Sequence, residues 1–241
     1  MGRFCTVLAV CLCASLTASA AIIPIAGNGA DQEVRLDGTL RWVGQGDMRV
    51  GNEGTGSAGI FVFELPVLPA GETVSTADFA FSVIGGNNWK ALYLKGIDLY
   101  ALRMSNAPTV LLTDCYKGPY GGDASATAIQ DLIVYEPEQL NQGAPGDLGR
   151  HDTSAAAEAA LGAWLQSLYG SPGYDPAGAN YVFIRLNARE DLTTAGRYWT
   201  VASANNATVD SRPVLTLTTI PEPATLSLLA LGGLSLVRRR K

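Results

Sequence analysis

Short runs of alternating apolar and polar residues, separated by clusters of glycine, proline and asparagine, constrain the fold of this chain more than any other feature. The runs at 77–83, 181–186 and 214–219 repeat with a period of two, the period of side chains along a β-strand. In the last run, Leu215 and Leu217 share one face, and the residues that alternate with them share the other. Many short strands between turn-forming clusters are typical of sandwiches and jelly rolls. We therefore predict a mainly β fold, an antiparallel β-sandwich of the jelly-roll type.

One segment departs from the strand pattern. Residues 153–169, TSAAAEAALGAWLQSLY, are rich in helix formers. The apolar side chains that recur at helical spacing are Leu161, Trp164, Leu165 and Leu168. Asp152, Thr153 or Ser154 can cap the start of a helix here, and Gly170 can end it. We predict one amphipathic helix on or beside the sandwich.

The start of the chain has the three parts of a secretory signal peptide. Arg3 precedes an uncharged apolar stretch, and a small-x-small pattern, Ala18-Ser19-Ala20, follows it. We predict that signal peptidase removes residues 1–20 by cleaving between Ala20 and Ala21.

The end of the chain, residues 220–241, also has three parts. In order, they are Pro221, Glu222 and Pro223; an uncharged run at 224–237; and Arg238, Arg239, Arg240 and Lys241. As a helix, the uncharged run would span about 21 Å, which is shorter than the hydrocarbon core of about 30 Å. It can still cross a bilayer if the arginines snorkel, with the basic cluster on the cytoplasmic side. We predict a C-terminal hydrophobic helix in transient contact with the membrane.

This order of parts resembles the PEP-CTERM sorting signal of Gram-negative bacteria. The resemblance implies that an exosortase recognises and cleaves the tail after signal peptidase has acted at the other end. It also implies transient anchoring in the inner membrane, followed by delivery to the cell surface or the extracellular matrix.

The predicted domain between the two ends covers residues 21–219 and is acidic. The chain has 17 basic and 22 acidic residues. Removing Arg3, the four terminal basic residues and Glu222 leaves 12 basic and 21 acidic residues, a net charge near −9. Nucleic-acid binding needs clustered lysine and arginine, which this body lacks, so we exclude nucleic acid as a partner.

One cysteine remains after removal of the signal peptide. The chain has four cysteines, and Cys5, Cys11 and Cys13 lie in the predicted signal peptide. Cys115 therefore has no partner for an internal disulfide, and we expect it to be a buried small apolar residue rather than a reactive thiol.

Several stretches of the body resemble the jelly-roll modules called DNRLRE-type, which occur in secreted bacterial proteins. These stretches are Met48–Gly51, Gly59–Pro66, Leu68–Gly71, Val74–Phe79, Tyr181–Leu186 and Ser211–Leu217. In such modules, a strand of aliphatic-x-phenylalanine type comes early, and a strand of R-P-x-L-x-L type closes the sandwich. The resemblance implies a jelly-roll fold and places no binding residue on this chain.

The sequence contains few of the residue patterns that are typical of catalytic or cofactor-binding sites. Residues 54–59 match G-x-G-x-x-G, but a strand-like run follows where a nucleotide site needs a helix. His151 is the single histidine, so neither a triad nor a histidine zinc site has its usual partners. Carboxylates that could pair for glycoside hydrolysis are Asp98, Asp114, Asp131, Glu136 and Glu138. We predict no catalytic residue, no cofactor and no metal.

An aromatic residue beside amides suggests a sugar-binding contact if its ring is exposed; the alternative is that the ring folds back onto the sheet as a core residue. Trp89 follows Asn87 and Asn88 in a glycine-rich turn, where its ring could stack on a sugar and the amides could hydrogen-bond hydroxyls. Further candidates are Tyr116, Tyr120, Tyr169 and Tyr174. We predict a non-catalytic module that binds glycans or exopolysaccharide. The alternatives are a passive structural protein of the matrix and an enzyme that acts on polysaccharide.

Overall fold

The computed structural model describes residues 20–41, 44–52, 54–87, 96–116, 118–134, 148–188 and 197–222. The strands in these ranges are β1 (Ala21–Ala26), β2 (Gln32–Arg35), β3 (Leu40–Arg41), β4 (Asp47–Asn52), β5 (Gly56–Glu64), β6 (Glu72–Asn87), β7 (Ile97–Ser105), β8 (Thr127–Val134), β9 (Gly149–Asp152), β10 (Tyr181–Ala188), β11 (Arg197–Ala202) and β12 (Val214–Pro221). The helices there are α1 (Ala155–Tyr169) and two short 3-10 helices, Leu112–Asp114 and Val209–Ser211.

The twelve described strands form one sheet in the order β1-β12-β6-β11-β4-β5-β10-β7-β8. Beside this path, β2 pairs with β3 and β5, and β9 pairs with β6. Every described pair is antiparallel. Strands far apart in the sequence therefore lie side by side, as β1 and β12 do.

The sheet curls until β6 faces β5, although two strands separate them in the sheet order. The ring centroid of Phe79 on β6 lies 5.3 Å from that of Phe61 and 5.9 Å from that of Phe63, both on β5. Phe81 stacks on Phe79 at 5.5 Å. All four rings are buried, so the concave face of the sheet encloses the main core. The curled antiparallel sheet confirms the predicted mainly β fold.

β12 confirms the two faces predicted from its alternation. Leu215 and Leu217 are fully buried and belong to the main core, while Val214, Thr216 and Thr218 are half-buried on the other face. The period of two is visible in the sequence because this strand is fully buried on one face and only half-buried on the other.

β10 is buried on both faces, which its alternation does not reveal. Val182 and Ile184 lie in the main core. On the opposite face, Phe183 packs in a second apolar cluster that includes Val34 of β2 and Val110 of the β7–β8 connection. Arg185, on that same face, is fully buried as well. A second covering layer, remote in sequence, explains this burial.

The predicted helix is present as α1. Its N-cap is Ser154, whose side chain accepts a hydrogen bond from the N–H of Ala157, and it ends before Gly170. Leu161 and Leu165 are fully buried against the sheet, with Trp164 and Leu168 at the margin of the core. Helix and β6 also contact through polar groups, since the N–H of Val74 donates to Gln166 Oε1 at 2.6 Å.

The glycine-rich stretch at 54–59 leads into a strand, as its sequence indicated. β5 begins at Gly56, and Gly54 takes a φ of 134°, in the region that favours glycine. The helix that a dinucleotide site requires at this point is therefore replaced by a core strand.

Among the described residues, no helix is both long enough and apolar enough to cross a membrane. The predicted apolar run at 224–237 lies outside them, as do residues 1–19 of the predicted signal peptide.

Candidate functional site

The two ends of the body that are predicted to be processed lie side by side. Ala21 is the first residue of β1, and in the β1–β12 pair it lies opposite Thr219. Ala20 is exposed just before the strand, while Ala18 lies outside the described residues. Both junctions therefore leave the sheet at the same end of one strand pair.

The Pro-Glu-Pro motif begins inside the sheet. Pro221 is the last residue of β12 and lies opposite Glu72 of β6. The N–H of Glu222 donates to the carbonyl of Gly71 at 2.7 Å. Pro223 and the predicted basic residues of the tail, Arg238, Arg239 and Arg240, lie outside the described residues.

The predicted sugar contact falls at the end of β6. Asn88 and Trp89 lie outside the described residues, and for Asn87 the structure describes the backbone. Asn87 is the last residue of β6 and lies opposite Tyr198 of β11. Asn87, the last described residue before Trp89, therefore lies beside Tyr198 on the neighbouring strand.

The outer face of β11 and β4 carries an aromatic ring beside a cation. We call Arg49, Tyr198 and Thr200 the Tyr198 surface. Trp199 and Val201 are buried in the core, so the alternating residues Tyr198 and Thr200 lie on the outer face, where both are half-buried. The Arg49 guanidinium lies over the Tyr198 ring, 4.7 Å from its centroid.

Glycines border the Tyr198 surface on both neighbouring strands. On β4, Gly51 lies opposite Tyr198 with a φ of 138°, and a Cβ there would lie 2.5 Å from the carbonyl oxygen of Arg197. On β6, Gly85 lies opposite Thr200. The residues opposite Tyr198 on β4 and opposite Thr200 on β6 therefore carry no side chain.

The sequence interpretation did not single out the Tyr198 surface. The available signal was the alternation within RYWTVA at 197–202, which places Tyr198 and Thr200 on the face opposite Trp199. The position of Arg49 over the ring depends on the pairing of β4 with β11, which no local pattern reveals.

Two of the carboxylates considered for catalysis support the backbone. Asp114 forms an ion pair with Arg103 through one oxygen and accepts the N–H of Leu111 at 2.7 Å through the other. Asp98 is fully buried and accepts the N–H of Leu132 at 2.9 Å. Asp131 lies exposed on β8, and Glu136 and Glu138 lie outside the described residues.

Tyr116 and Tyr120, both half-buried, belong to a network of side chains around the buried Arg185. The guanidinium of Arg185 lies 4.5 Å from the ring centroid of Tyr100 and 5.3 Å from that of Tyr116. Tyr120 packs on Tyr100 at 5.7 Å. Arg185 also donates to the carbonyl of Asp114 at 3.0 Å and pairs with Asp123 at 2.8 Å. These contacts hold the β7–β8 connection against β10.

His151 and Cys115 lie in structural surroundings. The His151 ring stacks on Phe81 at 5.6 Å, within the β6–β9 pair. Cys115 is half-buried beside the second apolar cluster, and burial raises the pKa of its thiol to about 11. At neutral pH the thiol is therefore protonated and a poor nucleophile.

A comparison with protein families gives a match at the C-terminal end of the chain. Residues 219–241 match the PEP-CTERM protein-sorting motif. No curated protein shows significant similarity to the chain. The matched motif begins at Thr219, so it overlaps the last residues of β12. It marks the chain as an exported protein that is sorted by an exosortase.

Proposed function

We propose that the body acts, after export, as a non-catalytic module that binds polysaccharide at the cell surface or in the extracellular matrix. The sorting motif supports the destination, because an exosortase substrate is delivered to the outside of the cell. Transient anchoring through the apolar run at 224–237 would precede release. The observation that carries the binding role is the Tyr198 surface, whose strand β11 pairs with β6 as far as Asn87, two residues before Trp89.

The chemistry of the Tyr198 surface suits a sugar. A half-exposed tyrosine ring offers a flat apolar face together with a hydroxyl, and the neighbouring Thr200 hydroxyl both donates and accepts. The Arg49 guanidinium provides donors without acceptors, which favours hydroxyl or carboxylate oxygens of a polysaccharide. Many sorted copies in one polymer would multiply a modest affinity through avidity.

The jelly-roll class of the body is also a proposal. Of the stretches that resemble DNRLRE-type modules, Met48–Gly51 falls on β4 and Leu68–Gly71 falls between β5 and β6, while the others fall mainly on β5, β6, β10 and β12. In the sheet, β5 neighbours β10 and β6 neighbours β12, so four of these stretches form two pairs of neighbouring strands.

Retention on the host's own extracellular polysaccharide tests the binding role. Trp89→Ala and Tyr198→Ala should each lower retention at least about tenfold while leaving the melting temperature nearly unchanged. Tyr181→Ala is the matched control, because Tyr181 is a half-buried aromatic residue on β10, which pairs with β5 and β7 rather than with β11. If Trp89 is a core residue instead, its removal should cost roughly 3–5 kcal/mol of stability. A destabilised Trp89 variant with full retention would end the sugar hypothesis at that residue.

The two alternatives predict other outcomes in the same assays. A passive structural protein would be retained equally well with and without both aromatic residues. An enzyme would release new reducing ends from a panel of polysaccharides, and sustained release would overturn the non-catalytic reading.

A further inference from the structure

The first residues of the sorting motif are held by the fold. Thr219 is fully buried, and its hydroxyl hydrogen-bonds the Glu72 carboxylate. Ile220 lies opposite Thr73, whose hydroxyl donates to the Ile220 carbonyl at 3.4 Å. The pairing continues to Pro221, opposite Glu72, and ends with the 2.7 Å bond between Glu222 and Gly71. No linker therefore separates the sheet from the motif.

Proteases engage a substrate segment as an opened, extended chain. Backbone groups that are paired in a sheet are available only in the fraction of molecules in which that part of the sheet has opened locally. Strand ends open more readily than core strands, because they have fewer buried contacts. The end of β12 fits this description, since Ile220 is 40% exposed and Glu222 is exposed.

We propose that the end of β12 gates sorting: Pro221 and Glu222 must detach from Gly71 and Glu72 of β6 before the exosortase can engage the motif. This inference rests on exosortase sorting of the chain and is independent of the sugar-binding proposal. Tail removal then proceeds at a rate set by local opening, and the body remains intact because β12 keeps its pairing with β1 and β6 from Val214 to Thr219.

A disulfide across the end of the strand tests the gate. Thr73 and Ile220 lie directly opposite each other in an antiparallel pair, where a cross-strand disulfide can form. In the full chain with Cys115→Ala, the pair Thr73→Cys and Ile220→Cys should slow tail removal in the host at least about tenfold. The locked protein should accumulate in the membrane fraction, and reductant should restore removal.

The matched control locks β12 on its other side. Ile22→Cys and Thr218→Cys join opposite residues of β1 and β12 and leave the contact with Gly71 and Glu72 free. This variant should lose its tail at the rate of the Cys115→Ala protein.

A spacer tests the same gate in the opposite direction. Inserting Gly-Ser-Gly-Ser between Ile220 and Pro221 moves the motif off the sheet and should speed tail removal severalfold. An equal insertion at Gly38, in the exposed turn between β2 and β3, should leave the rate unchanged.

The outcomes separate the gate from sorting itself. If the parent protein loses its tail and the locked form does so at the same rate, the gate is wrong while sorting stands. If the parent protein keeps an intact Lys241 at the cell surface, sorting fails and the gate fails with it.

Discussion

Asp31 is a buried acid that joins two distant parts of the chain. Its side chain is fully buried and accepts the N–H of Val62 and the N–H of Ala204, both at 2.8 Å. Val62 lies on β5, and Ala204 follows β11. Burial, partly opposed by these two hydrogen bonds, raises the pKa of Asp31 to about 7.

We expect Asp31 to make the protein less stable as pH rises from about 4 to above 7. The folded pKa of about 7 lies above the unfolded value of about 4, so the folded state binds the proton more tightly between them. The stabilisation of the folded state by this proton is complete below pH 4 and is lost as the pH passes through 7. It amounts to on the order of 4 kcal/mol in total. The side chain of the Asp31→Asn variant cannot titrate. Its NH2 group would face a backbone N–H, which is also a donor, and this unpaired contact costs about 1–3 kcal/mol. Its destabilisation in urea unfolding should therefore be larger at pH 5 than at pH 8.

Asp37→Asn serves as the control for this pH dependence. Asp37 is exposed, and the Thr39 hydroxyl holds its pKa below the usual range. It is ionised in both states from pH 5 to pH 8, so the effect of its substitution should not change over that interval. A destabilisation by Asp31→Asn that is equal at both pH values, or larger at pH 8, would contradict a buried proton-binding role.

Among the elements, α1 sits so close to β6 that one helical position must be glycine. A Cβ on Gly162 would lie 2.6 Å from the Cα of Thr76 and 2.9 Å from the carbonyl oxygen of Ser75. Both are backbone atoms, so no side chain can turn away, and the helix must move outward.

Gly162→Ala should destabilise the protein by about 1–2 kcal/mol. Overpacking costs about 1–3 kcal/mol, and the better helix propensity of alanine offsets at most about 1 kcal/mol. Gly170→Ala is the matched control: Gly170 has a φ of −90°, and the nearest atom to its added Cβ is 3.9 Å away. Urea unfolding should place the control within about 0.5 kcal/mol of wild type. If the two substitutions change the free energy of unfolding equally, the close contact between α1 and β6 does not require glycine at position 162.

We expect the Arg185 network to keep the β7–β8 connection packed against β10. Arg185→Met leaves the Asp123 carboxylate without its 2.8 Å partner. Because Asp123 is partly exposed and keeps two hydrogen bonds from Ser125, losing this charged partner should cost about 1–3 kcal/mol. We expect loss of stability in that range, with faster protease cleavage within residues 106–126. Arg150→Met, which breaks an exposed pair with Asp152 at 3.5 Å, should cost less than about 1 kcal/mol. Protease resistance equal to wild type in Arg185→Met would overturn the anchoring role.

At the scale of the whole molecule, the features predicted correctly from the sequence depend on local patterns. The faces of β12 follow from Leu215 and Leu217, and the start of α1 follows from a cap at Ser154. The sorting motif is read by an enzyme as a linear segment, so its residues are visible without the fold. Arg185, in contrast, reads as an outward residue of an alternating strand, and only a connection about 70 residues earlier, which carries Asp114, explains its burial.

The same reasoning explains what was missed at the candidate site. Tyr198 and Arg49 meet because β11 pairs with β4, across almost 150 residues of sequence. Because the sheet pairs strands that are distant in sequence, local sequence patterns cannot predict which side chains meet on its surface.

The first strand in the sheet order, β1, is an edge strand to which a strand of another chain could add. β1 pairs with β12 on one side, and no described strand pairs with its other side. Ile22 on this strand is 71% exposed. Pro24 lies in the middle of the strand opposite Thr216 and is exposed. Because proline has no N–H to donate, it blocks extension of the sheet by another strand at this edge.

We therefore expect Pro24→Val to promote self-association of the folded protein. Valine restores an N–H at the edge and favours strands, so a second copy could add to β1. Sedimentation velocity should show a larger species whose fraction grows with protein concentration, while far-ultraviolet circular dichroism remains that of wild type. Thr216→Val is the matched control, because it adds the same side chain one strand further in and leaves the edge N–H pattern unchanged. If both variants sediment like wild type, Pro24 is not the residue that prevents another chain from adding a strand to β1.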